Sequence, residues 1–405
     1  MPGLPAGGEP VPADGALPAG AAANIGARPF GIYVHVPFCS TRCGYCDFNT
    51  YTADEPGGAG RDAYAGLAIA EIQLARRVLG EAGLPVQTVF LGGGTPTLLG
   101  PAQLAAILRA IDGEFGLAPG AEVTTEANPE SVDERSLAEL RQAGFTRISF
   151  GMQSAVPHVL ATLDRVHTPE RAARCAAWAT AAGFGQVSLD LIYGAPGESD
   201  EDWRRSVEAA VAAGPSHISA YSLIVEDGTR LAAQIRRGKL PEPDEDAMAD
   251  RYLAADAMLA AAGLRWYEIS NWAAGPADRC RHNMLYWTDG DWWGIGPGAH
   301  SHVGGTRWWN VRHPRSYAER LAAGSSPGQA REVLTERERR TEQIMLLTRL
   351  SAGCPAGLLS AAGQAAAQAA IGDGLADAAG WADGRVVLTA RGRLLADAVI
   401  RGLTE

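Results

Sequence analysis

The chain has 405 residues, of which 46% are hydrophobic and 20% are charged, and its formal net charge is −11. This length exceeds what one hydrophobic core usually serves, so we expect more than one domain. The acidic balance argues against a general affinity for nucleic acid, and no apolar run approaches the roughly 20 residues of a transmembrane helix.

The first 28 residues are rich in Gly, Ala and Pro, and Arg28 is their only base. A secretory signal would begin with a basic region and continue with an apolar stretch, and this segment has neither. We therefore predict a disordered tail over residues 1–28 and a cytoplasmic protein. This prediction is compatible with transient association with a membrane. Six cysteines are too few for a disulfide scaffold in a chain of this length.

Short apolar segments alternate with helical stretches from residue 30 to residue 224. The strand candidates are residues 30–38, 88–91, 122–127, 147–152, 187–193 and 217–224. The helix candidates lie near residues 62–80, 101–115, 133–143, 155–182 and 200–213. This alternation predicts an α/β fold with a parallel sheet, and polar residues at several strand ends favour a partial (β/α)6 TIM-like barrel over residues 29–270.

The pattern changes beyond residue 240. A turn at residues 241–244 precedes a helix that ends near Ala262, and a strand follows at residues 265–269. Seven of the ten tryptophans fall between Trp266 and Trp309, together with several histidines. We predict that residues 271–330 form a linker and lid, and that residues 331–405 form a mostly helical domain with helices at 335–350 and 390–400.

Three cysteines, Cys39, Cys43 and Cys46, follow the first predicted strand with C-x3-C-x2-C spacing. Clustering of this kind indicates a metal site rather than a disulfide. Three thiolates leave one iron of an iron–sulfur cluster without a protein ligand, as a cluster that binds a reactant requires. The alternatives are a zinc site completed by His35 and coincidence, although no second C-x2-C arm is present.

The spacing, with Tyr45 as the aromatic residue before the last cysteine, resembles the signature of the radical S-adenosylmethionine (SAM) superfamily. That resemblance implies a [4Fe-4S] cluster held by Cys39, Cys43 and Cys46. It also implies that the open iron chelates the amino and carboxylate groups of SAM, and that an electron from the cluster cleaves a carbon–sulfur bond to give a 5′-deoxyadenosyl radical.

Further segments resemble a narrower group, the oxygen-independent coproporphyrinogen III oxidases and their relatives. They are Tyr-x-His-x-Pro-Phe-Cys, Gly-Gly-Gly-Thr-Pro, Glu-x-Asn-Pro, Gly-x-Gln and Asp-Leu-Ile-Tyr-Gly, in that order. Taken singly, each polar residue among them could instead belong to an ion pair inside the barrel. The resemblance implies contacts to SAM from Tyr33, Tyr45, Phe48, Gly93, Gly94, Thr95, Glu126, Gln153, Arg165 and Asp190.

Two features separate the branches of this group. The oxidases carry a further cysteine two residues after the third, where this chain has Phe48, and the local sequence is similar to that of the heme-chaperone branch. The segment from His282 to Trp287 also matches that branch's H-N-x-x-Y-W motif, which implies heme contacts from His282, Asn283, Tyr286 and Trp287. His300, His302 and His313 are rival ligands, and a packed lid is the alternative to a heme site.

The resemblance therefore implies a heme chaperone that delivers heme to apo-hemoproteins, with an electron donor that the sequence does not identify. The alternative is an oxidase that converts coproporphyrinogen III to protoporphyrinogen IX. A radical enzyme with an unrelated substrate is a third possibility. Of the remaining cysteines, only Cys280, two residues from His282, invites a test.

Overall fold

The computed structural model describes residues 8–52, 60–80 and 83–405, which form an α/β structure. The strands are β1 (Glu9–Pro10), β2 (Phe30–Val36), β3 (Val86–Gly93), β4 (Leu117–Ala127), β5 (Arg147–Gln153), β6 (Gln186–Tyr193), β7 (His217–Ser222), β8 (Arg265–Glu268), β9 (Asn271–Ala273), β10 (Asp291–Ile295), β11 (His300–Val303), β12 (Thr306–Asn310), β13 (Gly328–Val333), β14 (Cys354–Pro355) and β15 (Arg385–Val386). The α-helices are α1 (Ala19–Ala22), α2 (Arg61–Leu79), α3 (Pro101–Phe115), α4 (Glu134–Gln142), α5 (Pro157–Thr162), α6 (Pro169–Ala181), α7 (Asp200–Ala212), α8 (Arg230–Arg236), α9 (Glu245–Ala261), α10 (Arg281–Trp287), α11 (Pro314–Ala322), α12 (Glu336–Leu347), α13 (Ala361–Gly372), α14 (Ala378–Ala382), α15 (Ala390–Leu394) and α16 (Ala396–Thr404).

Within the described residues one sheet contains thirteen strands, in the order β1-β13-β12-β11-β10-β2-β3-β4-β5-β6-β7-β9-β8. Strands β2 to β7 are parallel neighbours and correspond to the six predicted strands. Their segments read as apolar runs because helices cover one face while the barrel interior covers the other. The α/β fold with a six-stranded parallel core is confirmed.

The six parallel strands curl around a common interior. Along β6, Leu189 and Leu191 pack outward into the main hydrophobic core, while Ser188 and Asp190 face inward. Every one of the six strands contributes to the wall of one interior cavity of about 180 Å³. The inward side chains on that wall include Tyr33, Phe90, Glu126, Ser149, Asp190 and Tyr221. Convergence of all six strands on one small cavity identifies a partial barrel.

Two predicted helices are interrupted. The segment 155–182 forms α5 and α6 with a turn between them, where Asp164 adopts a φ of 54° and Arg165 follows. The segment 390–400 is divided between α15 and α16 at Leu395. The prediction of one helix over 155–182 overlooked Pro169, which occupies the first turn of α6.

The prediction of a disordered tail is wrong for residues 8–28. Strand β1 pairs with β13 in an antiparallel arrangement, and the Arg331 guanidinium bonds to the Glu9 carboxylate at 2.7 Å and the Ala16 carbonyl at 2.9 Å. Arg28 forms ion pairs with Asp289 at 3.3 Å and with Asp291 at 3.4 Å. These contacts compensate for the low hydrophobicity of the segment. Residues 1–7 lie outside the described residues.

Residues 271–330 are not a separate linker and lid, because most of them extend the sheet. Strand β10 pairs in parallel with β2, and β11, β12 and β13 continue from it in antiparallel order. Trp293 and Trp308 pack edge to face at 4.8 Å in the core. The tryptophans therefore mark a buried flank of the sheet.

The C-terminal residues form their own hydrophobic cluster, with the helices α12 to α16 around the short β14–β15 pair. Its boundary falls after β13, since that strand belongs to the large sheet. An ion pair between Arg393 and Asp256 on α9 joins this unit to the barrel, and the guanidinium carbon of Arg393 stands 4.4 Å above the Trp266 ring.

Candidate functional site

The loop that carries the three cysteines leaves β2 and returns to it. Its two ends are held together by backbone hydrogen bonds from Cys39 N to the Tyr51 carbonyl (3.0 Å) and from Tyr51 N to the Pro37 carbonyl (2.7 Å). The thiols of Cys39, Cys43 and Cys46 are unpaired and partly accessible. All three line one cavity at the carboxyl ends of the strands.

The returning arm of the loop is fixed from beneath by buried hydrogen bonds. Asn49 donates from Nδ2 to the carbonyls of Pro297 (2.9 Å) and Arg312 (2.8 Å), which tie the loop to the segments after β10 and after β12. His35 uses Nε2 with the Asn49 carbonyl and Nδ1 with the Tyr33 hydroxyl, both at 2.9 Å. Because both ring nitrogens have partners, His35 supports the loop, and the alternative of a zinc site completed by His35 is wrong.

The cysteine loop fits an iron–sulfur cluster by the chemistry of its donors. Burial, together with the charges of Cys46 and Cys43, raises the pKa of the Cys39 thiol to about 11. Thiols that repel one another on ionisation are stabilised as thiolates by bound iron. In the described part of the chain, no three His, Cys, Asp or Glu side chains are grouped as ligands of a single metal ion.

The cavity above the strands has a volume of about 580 Å³. Nine of the ten residues predicted to contact SAM line it together with the cysteines: Tyr45, Phe48, Gly93, Gly94, Thr95, Glu126, Gln153, Arg165 and Asp190. The tenth, Tyr33, faces the smaller interior cavity below. A volume of this order suits a nucleoside-sized ligand in a largely preformed site.

The glycines of the Gly-Gly-Gly-Thr-Pro segment are dictated by packing around the loop. Gly93 has a φ of 109°, and a Cβ there would lie 2.6 Å from the His35 ring. A Cβ on Gly94 would lie 2.5 Å from the Phe38 carbonyl oxygen. Gly93 N also donates to Glu126 Oε2 at 3.1 Å. The segment thereby brings β3 against the base of the cysteine loop.

Two buried carboxyl groups, Glu126 and Asp190, face the cavity. Burial and, to a smaller extent, repulsion by Asp190 raise the pKa of Glu126 to about 8, against the opposing effect of the hydrogen bond from Gly93 N. Burial also raises the pKa of Asp190, although the Ser149 hydroxyl lies 2.9 Å and 2.8 Å from its two oxygens. Neither carboxyl forms an ion pair within the described residues, although the charge of Arg147 lowers the pKa of Asp190, and such groups in a cavity suit a cationic or hydroxyl-bearing ligand.

Arg165 enters the cavity because the helix breaks after α5. Its guanidinium donates to the Asn128 side-chain oxygen, to the Gly151 carbonyl at 2.8 Å and to the Cys43 sulfur at 3.6 Å. Gln153, at the end of β5, has a φ of 63°, a left-handed conformation that costs a non-glycine residue about 1 kcal/mol or more. Such strain is typical of residues that the surrounding structure holds in position for a ligand.

Sequence reasoning missed several cavity residues. Asn128 belongs to the Glu-x-Asn-Pro segment and bonds to Arg165, but was assigned no role. Ser149 and Tyr221 lie on inward positions of β5 and β7, and their alternation with apolar residues was the available signal. Ile192, Leu223 and Ile224 add an apolar wall for which the sequence offered no signal.

A model of the radical SAM superfamily matches residues 33–210. Among curated proteins, "Heme chaperone HemW" of Mycobacterium tuberculosis (strain ATCC 25618 / H37Rv) is 54% identical over 381 residues, which cover 94% of this chain and 96% of that protein. "Heme chaperone HemW" of Escherichia coli (strain K12) is 35% identical over 298 residues, with coverage of 72% and 76%. The chain belongs to the HemW family of radical SAM proteins.

A solved structure, that of coproporphyrinogen III oxidase (HemN) from Escherichia coli, aligns with 95% of this chain and 92% of its own, with a TM-score of 0.81 and 23% identity. At this identity the likeness shows the fold alone. The family predicted from the sequence is confirmed, and membership of the radical SAM superfamily implies a [4Fe-4S] cluster and SAM.

In this HemW-family chain the His-Asn-x-x-Tyr-Trp motif forms α10, which closes the amino-terminal mouth of the barrel. His282 is 1% exposed, and its ring stacks on Phe90 at 5.3 Å. Its Nδ1 pairs with the Thr88 hydroxyl and its Nε2 with the Tyr286 hydroxyl, both at 2.8 Å. Burial lowers the pKa of His282 to about 3.

The other motif residues hold α10 in place. Asn283 donates to Glu268 Oε1 at 2.9 Å, and Trp287 also bonds to that carboxylate. Glu122 accepts hydrogen bonds from the backbone of Arg281 at 2.9 Å and of His282 at 3.0 Å. The heme contacts of His282, Asn283, Tyr286 and Trp287 stay a prediction, and iron ligation by His282 would require one of its two ring hydrogen bonds to break. In the described residues no helix is long and apolar enough to cross a bilayer.

Proposed function

We propose that this protein is a heme chaperone, which binds heme and delivers it to apo-hemoproteins while holding a [4Fe-4S] cluster and SAM. The observation that carries the proposal is the 54% identity to a protein named "Heme chaperone HemW", sustained over 94% of the chain. A relationship of that extent includes the cysteine loop, the cavity and the C-terminal helical unit together.

In this proposal Cys39, Cys43 and Cys46 hold the cluster, and SAM occupies the adjoining cavity of about 580 Å³. The cluster, when bound, supplies the electron that cleaves a carbon–sulfur bond of SAM. Ionised Glu126 accepts hydrogen bonds from the ligand's ammonium group, since it is the buried carboxyl next to the cysteine loop. Asp190, oriented by Ser149, accepts from ligand hydroxyl groups.

Further residues exclude water and fix the ligand's orientation. Arg165 stands between the loop and β5, where its charge lies close to the Cys43 sulfur and to any carboxylate bound beside it. Ile192, Leu223 and Ile224 cover the apolar side of the cavity. Tyr33 lies beneath the cavity and contributes indirectly. Its hydroxyl forms a hydrogen bond with His35, which in turn supports the cysteine loop.

We place this function in the cytoplasm, where thiols stay reduced. All six cysteines lie in the described residues and none forms a disulfide. The coproporphyrinogen oxidase alternative rests on likeness of fold, and Phe48, 55% exposed at the cavity, occupies the position of the cysteine that oxidases carry.

The test is a transfer experiment with the reconstituted full-length protein. Hemin should bind with a distinct Soret band, and the loaded protein should convert an apo-hemoprotein to its holo form. Serum albumin loaded with the same amount of hemin is the control for passive exchange. Absence of a Soret band, or transfer no faster than from albumin, would refute the proposal.

A further inference from the structure

Thr50, on the returning arm of the cysteine loop, carries a buried hydroxyl group whose hydrogen-bonding capacity the fold leaves unused. The residue is 2% exposed, and within residues 8–52, 60–80 and 83–405 its Oγ1 has no oxygen or nitrogen partner. Burial of a hydroxyl without a hydrogen bond destabilises a fold. A buried polar atom of this kind in a functional loop therefore requires an explanation.

The backbone holds Thr50 in a defined position next to Cys39. Cys39 N donates to the carbonyl of Tyr51 at 3.0 Å, and Thr50 N donates to the carbonyl of Phe48 at 2.7 Å. On the other side, the Asn49 side chain is anchored by its hydrogen bonds to two carbonyls at 2.9 Å and 2.8 Å. Because both neighbours of Thr50 are fixed, its side chain is presented to the cysteines without loop rearrangement.

The Thr50 hydroxyl faces two of the three thiols of the loop, those of Cys39 and Cys46. Burial raises the pKa of both thiols, and the hydroxyl of Thr50 opposes this rise at each of them. A hydroxyl has this effect when it directs its proton at the sulfur, because a hydrogen bond donated to a thiolate favours the ionised form. The thiolate form is the one that binds iron.

Two other side chains near the sulfurs also belong to the cavity of about 580 Å³. Thr95 Oγ1 accepts a hydrogen bond from Asn128 Nδ2 at 3.4 Å, and the Arg165 guanidinium donates to the Gly151 carbonyl at 2.8 Å as well as to the Cys43 sulfur at 3.6 Å. Within the described residues, Thr50 is not part of the lining of this cavity. Its hydroxyl can therefore be removed without altering the cavity wall.

Hydrogen bonds to the sulfur ligands are among the features that set the reduction potential of an iron–sulfur cluster. Reduction adds negative charge to the cluster and its thiolates, so a donor at the sulfur binds the reduced form more strongly than the oxidised form. We propose that the Thr50 hydroxyl donates to the thiolates of Cys39 and Cys46 in the cluster-loaded protein and thereby raises the reduction potential of the cluster. This inference rests on the proposed ligation of the cluster by the cysteine loop.

The experiment is a redox titration of the reconstituted full-length protein without SAM, followed by the electron paramagnetic resonance of the reduced cluster. Thr50→Val keeps the size and branching of the side chain and removes only the hydroxyl. At a fixed applied potential, the ratio of reduced to oxidised cluster should fall about tenfold, which is a midpoint potential lower by about 59 mV for one electron. Iron and sulfide content should match the parent, because all three thiolates remain.

Three further variants serve as controls. Thr50→Ser keeps the hydroxyl and should keep the midpoint potential of the parent. Thr50→Ala should lower the potential as Thr50→Val does, and it provides the measurement if valine prevents cluster loading. Thr124 on β4 is also fully buried with an Oγ1 that lacks a partner in the described residues, and it lies outside the lining of the cysteine cavity. Thr124→Val should therefore leave the midpoint potential unchanged.

The outcomes separate this inference from the proposed cluster itself. A parent-like midpoint potential in Thr50→Val and Thr50→Ala would overturn the role of Thr50 and leave the cluster standing. An equally large shift in Thr50→Ser would also overturn it, since packing rather than the hydroxyl would then be responsible. A parent that takes up no iron and sulfide on reconstitution would instead refute the proposed cluster.

Discussion

Replacement of Glu126 by Gln should show that the charge of this carboxylate lowers the stability of the fold but strengthens the binding of SAM. The pKa of this carboxyl rises from 4.5 to about 8 in the folded protein, first through burial and then through Asp190. The folded state therefore holds the proton more tightly than the unfolded chain between these values. The stability associated with Glu126 is fully present below pH 4.5 and is lost as the pH rises to 8. Glutamine has no proton to lose.

Between pH 5 and pH 8.5 the free energy of unfolding should fall by about 4 kcal/mol, at 1.36 kcal/mol for each tenfold change in proton affinity. This is an upper value, because water can enter the cavity. Glu126→Gln should thus unfold at a higher temperature than the parent at pH 8.5 and at nearly the same temperature at pH 5. The ionisable groups near Glu126 include Asp190, Tyr33, Tyr221 and Tyr286, together with Arg147 and Arg165 in the same cavities, and all of them remain in both proteins.

The same substitution should weaken SAM binding about 10- to 150-fold, because a hydrogen bond between charged groups contributes about 1.5–3 kcal/mol. Calorimetric titration at pH 7.5 in two buffers of different ionisation enthalpy should also show proton release on binding to the parent and none with the variant. Parent-like SAM affinity, or a difference in unfolding temperature that does not change with pH, would contradict the reasoning.

Glu71 provides a matched control. Its carboxyl is also buried, with a pKa raised to about 7, but it accepts hydrogen bonds from the Tyr317 hydroxyl, from Gly296 N at 2.7 Å and from Asn310 Nδ2 at 2.7 Å. Glu71→Gln would direct an N–H at these donors, so it should lower the unfolding temperature at both pH values. Since Glu71 lies outside the cavity, SAM affinity should not change.

Cys39→Ala, Cys43→Ala and Cys46→Ala should each abolish the brown chromophore after anaerobic reconstitution, whereas Cys175→Ala should keep it; a full iron and sulfide content in any of the first three would exclude that ligand. Gln153→Gly should raise the free energy of unfolding by about 1 kcal/mol by relieving the left-handed backbone, yet bind SAM more weakly, as denaturant and calorimetric titrations would show. Deletion of residues 2–18 should lower the unfolding temperature and speed amide exchange in β13, which loses the partner β1; unchanged exchange would count against that pairing. Anaerobic incubation with coproporphyrinogen III, SAM and reductant should yield 5′-deoxyadenosine without protoporphyrinogen IX, and turnover to that product would make the protein an oxidase.

The barrel strands were predictable because strands covered on both faces read as short apolar runs bounded by turns. The cavity was predictable because its residues follow those strands in a recognisable order. The break after α5 was missed although Thr168 and Pro169 are typical of a new helix start, whereas the positive φ of Asp164 has no sequence signal. Arg165 was nevertheless assigned through its motif, without any account of how it reaches the cavity.

For the segment around α10, the structure adds what the sequence could not give. A motif with an imidazole and aromatic rings offered plausible ligands, but burial and hydrogen bonding decide which rings are available. His282 is enclosed by Thr88 and Tyr286, which are 194 and 4 residues away in sequence. The extension of the sheet by β10, β11 and β12 was not predicted. Strand β10 pairs with β2, which lies about 250 residues earlier in the chain, and local composition does not indicate such a distant partner.

That late pairing has a consequence for the nascent chain. During synthesis β2 gains β3 on one side within about 50 residues, but its other edge remains bare until β10 is made, roughly 250 residues later. At about 5–20 residues per second this interval lasts about 10 to 50 seconds. Throughout it, an apolar strand next to the cysteine loop presents unsatisfied backbone groups to other chains. Slower growth at low temperature, or a higher level of a folding chaperone, should therefore increase the yield of soluble protein.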